Sequence, residues 1–257
     1  MRINLIGGGN VATHLAQAFT QAGHEVAGVV CRDVTHAKAL ADPIGALAIN
    51  DIADLPPADV TIIAVPDNAI AEVALHLSES GVCSVVAHTS GATPIDALEP
   101  NPHRGVFYPC QTFTKADSID VQKIPFLIEG SDDESYAVLY QLAKSISQKV
   151  TSCDGRQRAL LHVAAVFGSN FANHLLLNAK DFMERAGLPF DTLRPLMERA
   201  IAKAFEIGPF EAQTGPARRG DSKTIERHES LIDNDLQKKI YHLLTQSIYE
   251  TYHQRKV

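Results

Sequence analysis

Three glycines followed by small residues, Gly7-Gly8-Gly9-Asn10-Val11-Ala12, come straight after the β-branched segment Arg2–Ile6 and open an amphipathic stretch from Val11 to Gln21. A Gly-x-Gly-x-x-Ala spacing between a strand and a helix suits a diphosphate. The first glycine permits a tight turn, the second lets backbone approach the anion, and the small third residue lets helix and strand pack closely. The phosphates then face the helix N-terminus. About 20 residues further on, where a site for an unphosphorylated ribose holds a carboxylate, the chain reads Val29-Val30-Cys31-Arg32-Asp33. Arg32 suits a 2′-phosphate there, because a guanidinium grips phosphate through two hydrogen bonds whereas an acid would repel it. The alternative is a solvated Arg32 with Asp33 holding the ribose. A methyltransferase could use the same glycine turn, but Arg32 stands where its ribose carboxylate would be. A deazaflavin stays open, since phosphate ligands report the anion and not the redox ring.

A second group lies on a long apolar stretch, where His162, Ser169 and Asn173 fall on one face at helical spacing with Asn170 beside them. Polar groups on a buried helix need partners. Here the partner is either another helix or a substrate. Histidine is suited to pass a proton to or from a carbonyl or alcohol oxygen while a nicotinamide exchanges hydride at carbon. The loop Thr214-Gly215-Pro216-Ala217-Arg218-Arg219-Gly220-Asp221 adds two cations. Arg219 or Arg218 clamps an anionic substrate group, or the loop is solvated and Asp221 or Ser222 caps the next helix. Val65-Pro66-Asp67 and His88-Thr89-Ser90-Gly91 follow strand-like runs, at the edge where doubly wound sheets bind ligands. Tyr108-Pro109-Cys110-Gln111 forms a further such edge, with Tyr108 either there or in the core.

These residues need elements to carry them. Strand-like runs at Arg2–Ile6, Glu25–Val30, Leu47–Asn50, Val60–Val65 and Ser84–His88 alternate with amphipathic stretches, as a parallel sheet with crossover helices requires. Further strands are expected at Gly105–Tyr108, Phe126–Glu129 and Lys149–Cys153, with a helix at Glu134–Ser147. From Gly155 to Ala186 no proline interrupts a helix that is apolar nearly all round, and so expected to be buried on most sides. Gly187-Leu188-Pro189 stops it, Asp191 caps the next helix, and Gly208-Pro209 ends that one. Helices follow at Ser222–Ile232 and Asn234–His253. The fold class is therefore α/β: a doubly wound, mostly parallel sheet in residues 1–153, then an all-helical domain in residues 154–257.

Composition narrows the function. In 257 residues, Lys and Arg total 23 against 30 Asp and Glu, a formal charge of −7 with no tryptophan, which speaks against nucleic-acid binding. No apolar run approaches the ~18 residues of a membrane span, and the first strand-like residues, Arg2 to Ile6, start at the initiator Met, so an untargeted cytoplasmic protein is expected. Cys31, Cys83, Cys110 and Cys153 lie far apart without metal-ligand spacing, as reduced thiols would, and no metal is expected. Paired carboxylates, a nucleophile elbow and a P-loop are missing, which removes glycosidase, serine-hydrolase and P-loop chemistry.

Taken together, the glycine turn, Val65-Pro66-Asp67, His88-Thr89-Ser90-Gly91, Tyr108-Pro109-Cys110-Gln111-Thr112-Phe113, Leu161-His162 with Ser169-Asn170, and Thr214 to Asp221 resemble one bacterial family. It joins a Rossmann-like oxidoreductase domain to a helical domain of unknown function, and is similar to pyrroline-5-carboxylate reductases, ketopantoate reductases and the 6-phosphogluconate and β-hydroxyacid dehydrogenases. The resemblance implies NADP(H) in the first domain and a homodimer through the second. The long-helix lysine of the ketopantoate and β-hydroxyacid enzymes has no counterpart, and His162 lies in its region. The expectation is an NADP(H)-dependent oxidoreductase acting on a small, anionic carbonyl, imine or alcohol. His162, Ser169 and Asn170 act at the reacting group, Gln111, Asn173 and Arg219 hold substrate, and His88, Ser90 and Gly91 line the nicotinamide side. A nucleotide-responsive binding protein without chemistry is the alternative.

Overall fold

The computed structural model describes residues 1–81 and 84–253; Cys83 lies outside them. The first part alternates strands and helices: β1 (Arg2–Ile6), α1 (Asn10–Gln21), β2 (Glu25–Val30), α2 (Val34–Ala41), β3 (Leu47–Ile49), β4 (Val60–Ile63), α3 (Ile70–Glu79), β5 (Val85–His88), β6 (Arg104–Pro109), β7 (Pro125–Gly130), α4 (Asp133–Ile146) and β8 (Lys149–Ser152). The strands form one sheet in the order β3-β2-β1-β4-β5-β6-β7-β8. Pairing is parallel from β3 across to β6, antiparallel between β6 and β7, and parallel again between β7 and β8. The first six strands thus have the doubly wound order, whose direction of winding reverses between β1 and β4.

Successive strand residues point to opposite faces, and the core follows that alternation. Leu5 and Val29 pack with Leu15 and Phe19 of α1, in a cluster that extends to Leu139 and Leu142 of α4. Ile6, Val30 and Ile63 pack on the other face against Ile70, Ala74 and Leu77 of α3. Both faces being covered, the central strands read as near-continuous apolar runs. Side-chain caps start several helices: Asp33 accepts from Thr35 N at 2.9 Å for α2, and Asp132 from Ser135 N at 2.8 Å for α4.

After β8 come α5 (Gly155–Ala165), a π-helical segment at Val166–Phe171, α6 (Ala172–Arg185), α7 (Arg194–Ile207), the one-turn α8 (Pro209–Ala212) and α9 (Pro216–Arg219), α10 (Ser222–Ser230) and α11 (Asp235–His253). The chain forms two compact units, residues 1–166 and 167–257. The first ends 13 residues beyond the boundary read from sequence, because α5 is anchored to the sheet. Asp154 and Gln157 close a reciprocal capping box at its start, and the buried Arg158 is bonded to Glu129 of β7.

Three expectations about the helical part need correction. Between Gly155 and Arg185 only Arg158 is buried, and Phe167, Phe171 and Leu177 are exposed, so the apolar character of this helix is not explained by cover within the chain. The same 31 residues are, by length and composition alone, long and apolar enough to cross a membrane, contrary to the sequence reading. Asp191 does not cap α7; it sits in a 3-10 turn and accepts from Arg194 Nε at 2.6 Å, while Leu193 occupies the cap position. The loop from Thr214 contains a helical turn, closed by Gly220 in the left-handed region, and Asp221 then caps α10 through Thr224 N.

Candidate functional site

The glycine turn leaves the end of β1 at the point where the sheet's winding reverses. Gly7 has φ +118°, and a β-carbon there would lie 2.3 Å from the Ala64 carbonyl oxygen, so only glycine fits. At Gly8 a β-carbon would come 2.8 Å from Cys31 Sγ. Gly9 differs: it caps α1, and a β-carbon would meet nothing among the described residues within 4 Å. Protein packing therefore explains the first two glycines and leaves the third open toward whatever the turn holds. Ala12 is fully buried at the helix–sheet contact and Val11 is half-buried. Asn10 donates from Nδ2 to the Phe113 carbonyl at 2.8 Å, and His14 bonds the Thr114 carbonyl at 2.9 Å, which together pin the β6–β7 loop over the start of α1.

A cleft of about 920 Å³ opens beside this turn, between the ends of β1, β2 and β4 and the face of α3. Of the residues singled out from sequence, Gly7, Gly8, Gly9, Arg32, Val65 and Pro66 line it, with Cys31, Asp33 and His36. Asn10, Val11, Ala12, Asp67, His88, Ser90 and Gly91 are not on its wall. Arg32 is exposed and makes no ion pair among the described residues. Asp33 uses Oδ1 for the α2 cap, and its hydrogen bonds to Thr35 hold its carboxyl below the usual carboxylate range. Burial raises the Cys31 thiol. The volume and the open Gly9 fit a dinucleotide whose diphosphate lies against the turn.

A second cluster forms where β5, β6 and α5 meet. His88 ends β5, fully buried, and its Nδ1 accepts from Ser90 N at 3.1 Å. Burial first, then the nearby Arg158 charge, push its pKa down to about 4, with the Pro94 carbonyl and Asp67 opposing. Ser90 Oγ accepts from the amides of Ala92 and Thr93, which fixes the following turn. Gly91 sits in that turn under two side chains: a β-carbon there would lie 2.7 Å from His162 Nδ1 and 3.0 Å from the Tyr108 hydroxyl. The two rings meet edge to face with centroids 6.5 Å apart. His162 Nδ1 is buried and has no hydrogen-bond partner among the described residues. Burial, with Cys110 adding to it, pushes the Tyr108 phenol up to about 12.

Other predicted residues are placed differently. Gln111 is exposed in the β6–β7 loop, its Oε1 accepting from Thr112 N at 2.8 Å. In the second unit, Ser169 and Asn170 fall inside the π-helical segment, and Asn173 lies one turn beyond. The stripe assumed 3.6 residues per turn, which a π turn breaks, although such turns recur at functional sites. Arg218 is committed to the Glu211 and Gln213 carbonyls and lies over the Tyr252 ring, 5.0 Å from its centroid. Arg219 is exposed, and its guanidinium makes no hydrogen bond among the described residues. Sequence reasoning missed Arg158, which donates to Glu129 and to the Thr93 carbonyl and so ties α5 to the turn that carries Gly91. Its signal was an arginine on an apolar helix, four residues before His162 and thus on the same face.

The doubly wound sheet and the glycine turn at its reversal define a Rossmann-like, nucleotide-binding protein. The chain belongs to the family that joins a Rossmann-like domain, matched over residues 1–110, to the domain of unknown function DUF2520, matched over residues 124–248. A protein from Bacteroides fragilis assigned as an NADP oxidoreductase is 38% identical, with a TM-score of 0.88 over 97% of this chain and 98% of its own. A protein from Thermotoga maritima is 22% identical, with a TM-score of 0.75 over 99% and 100% of the two chains. An imine reductase from Myxococcus stipitatus, in complex with NADP+, is 14% identical with a TM-score of 0.66, over 99% and 93%. These last two share the fold. No protein of curated function matches the chain.

Proposed function

We propose that this protein is an NADP(H)-dependent oxidoreductase acting on a small, anionic carbonyl, imine or alcohol. The observation that carries the reading is Gly9, a helix-capping glycine whose missing side chain faces no protein atom within 4 Å, in a turn whose other glycines are packed against Ala64 and Cys31. A diphosphate lying against the backbone accounts for it. Gly7, Gly8, Gly9 and the start of α1 would hold the diphosphate, Arg32 the 2′-phosphate, and Val65 and Pro66 the cleft wall beside them. The relatives named as an NADP oxidoreductase and as an imine reductase with NADP+ support the cofactor.

When bound, the nicotinamide supplies or accepts the hydride. The chain's own part is to move a proton and hold the substrate. His162 is the acid/base, because its Nδ1 is buried with no partner among the described residues and is left to hydrogen-bond a substrate heteroatom or the adjacent Tyr108 hydroxyl. His88, neutral above about pH 4, accepts at Nδ1 and so carries its proton on Nε2, which makes it a positioning group rather than a shuttle. Ser169, Asn170, Asn173 and Gln111 are the proposed polar substrate ligands, and Arg219 the ligand for its anionic group.

A cytoplasmic homodimer completes the proposal. Phe205 is 89% exposed and Phe167 67%, with Leu196 and Ile201 also open, apolar side chains that a second copy would cover. The dimer predicts twice the 27.8 kDa chain mass by sedimentation.

The cofactor test is calorimetric titration of ligand-stripped protein with NADPH and NADH, repeated with Arg32→Glu. Preference for NADPH of about tenfold or more, lost in the variant, is expected. Binding of neither overturns the reading. His162→Ala should lower turnover about 10²-fold with cofactor affinity unchanged. Tight NADPH binding without oxidation by any carbonyl or imine would favour the nucleotide-responsive binding protein.

A further inference from the structure

Beside Arg32 the cleft wall carries a second basic side chain. His36 lies in the first turn of α2 and lines the cleft together with Cys31, Arg32 and Asp33. Its carbonyl oxygen and β-carbon stand 3.5 and 3.6 Å from where a β-carbon on Gly8 would be, so it borders the middle glycine of the phosphate turn. Its imidazole is exposed and has no hydrogen bond or ion pair among the described residues. A histidine held against a phosphate turn, beside an unpaired arginine, is arranged to receive an anion.

We propose that His36 is a second ligand for the cofactor's 2′-phosphate, and that its protonation makes the preference for NADPH over NADH depend on pH. The proposal rests on the NADP(H) reading above. A phosphate offers three acceptor oxygens, and a bidentate arginine satisfies two of them. An imidazolium supplies a donor and a charge for the third, and histidine changes charge between about pH 5 and 8. The 2′-hydroxyl of NADH offers no charge to pair with, so the effect falls on NADPH. The groups facing this volume are Arg32 and Asp33 from the same turn, Asp51 after β3, and Glu72, His76 and Glu79 of α3. Lys115 of the β6–β7 loop adds positive potential at Cys31.

The experiment titrates the full-length protein with NADPH and with NADH at about pH 6 and about pH 8, as wild type, His36→Gln and His36→Lys. In wild type the NADPH-to-NADH affinity ratio should fall several-fold, up to about tenfold, from the lower to the higher pH. His36→Gln should lower the ratio at the lower pH and remove the fall. His36→Lys should keep the ratio high at both, and any remaining slope reports titration of the 2′-phosphate itself, whose second pKa is about 6. A wild type that prefers NADPH, loses that preference in Arg32→Glu and keeps it unchanged in His36→Gln overturns the role of His36 and leaves the cofactor reading standing. A wild type with no preference at either pH overturns both.

Discussion

His162 Nδ1 packs so closely on Gly91 that a β-carbon at position 91 would lie 2.7 Å from it. The Tyr108 ring carbon Cζ would be 2.8 Å from the same point. The turn after β5, the end of β6 and the second turn of α5 therefore converge on one glycine. Gly91→Ala should displace both rings, cutting turnover at least about tenfold, or 1.4 kcal/mol in the barrier, while the Kd for NADPH stays within about twofold. Parallel steady-state kinetics and calorimetry check this, and unchanged turnover would remove the His162–Tyr108 pair from the mechanism.

The glycines of the phosphate turn should separate folding from binding. Gly7→Ala places a β-carbon 2.3 Å from a backbone oxygen at φ +118°, and should destabilise the fold by about 2 kcal/mol or more. Gly9→Ala meets nothing in the protein and should cost under about 1 kcal/mol, yet weaken NADPH binding at least about tenfold. Urea midpoints and titrations of both variants test the contrast.

Arg158 is buried and pairs with the partly buried Glu129, their side chains 2% and 18% exposed. Removing Glu129 leaves the guanidinium away from water without its counter-charge. Glu129→Gln and Arg158→Met should each destabilise by about 3 kcal/mol, and the double variant by clearly less than their sum. Denaturant unfolding of all four proteins gives the coupling, and strict additivity would contradict it.

His88 sets a pH dependence of stability with a definite sign. Its folded pKa of about 4 lies below that of an unfolded histidine, about 6.5, so between these values the unfolded chain holds the extra proton. Stability therefore rises with pH from about 4 to about 6.5, and this contribution is flat above. At roughly 1.4 kcal/mol per pH unit it amounts to about 3 kcal/mol. His88→Gln should lack that part of the slope and so lose less stability on acidification from about pH 6.5 to about pH 4, as denaturation midpoints at several pH values would show.

Much of the fold is legible in local pattern, because strand and helix periods and turn residues act over a few positions. The strand starts at Arg2, Glu25, Leu47 and Val60 coincide with the observed ones, and so do the stops at Gly187 and Gly208. Asp191 was misplaced because a capping residue and the first turn of a 3-10 helix look alike in sequence. The site was legible in part. The glycine turn and Arg32 belong to one strand–helix–strand unit, where spacing alone brings them to one cleft wall.

By itself, then, the sequence determined the doubly wound half, the helical half, the phosphate turn and the cation beside it, each specified within a short stretch of chain. Only the tertiary structure decided that Gly91, Tyr108 and His162 meet and that Arg158 reaches Glu129. It also decided that Val166–Phe171 winds as a π-helix and that the apolar helix keeps its Phe167 and Phe171 uncovered within the chain. Periodicity reports which face a side chain takes. What that face meets depends on segments tens of residues away, brought together by the packing of the whole sheet.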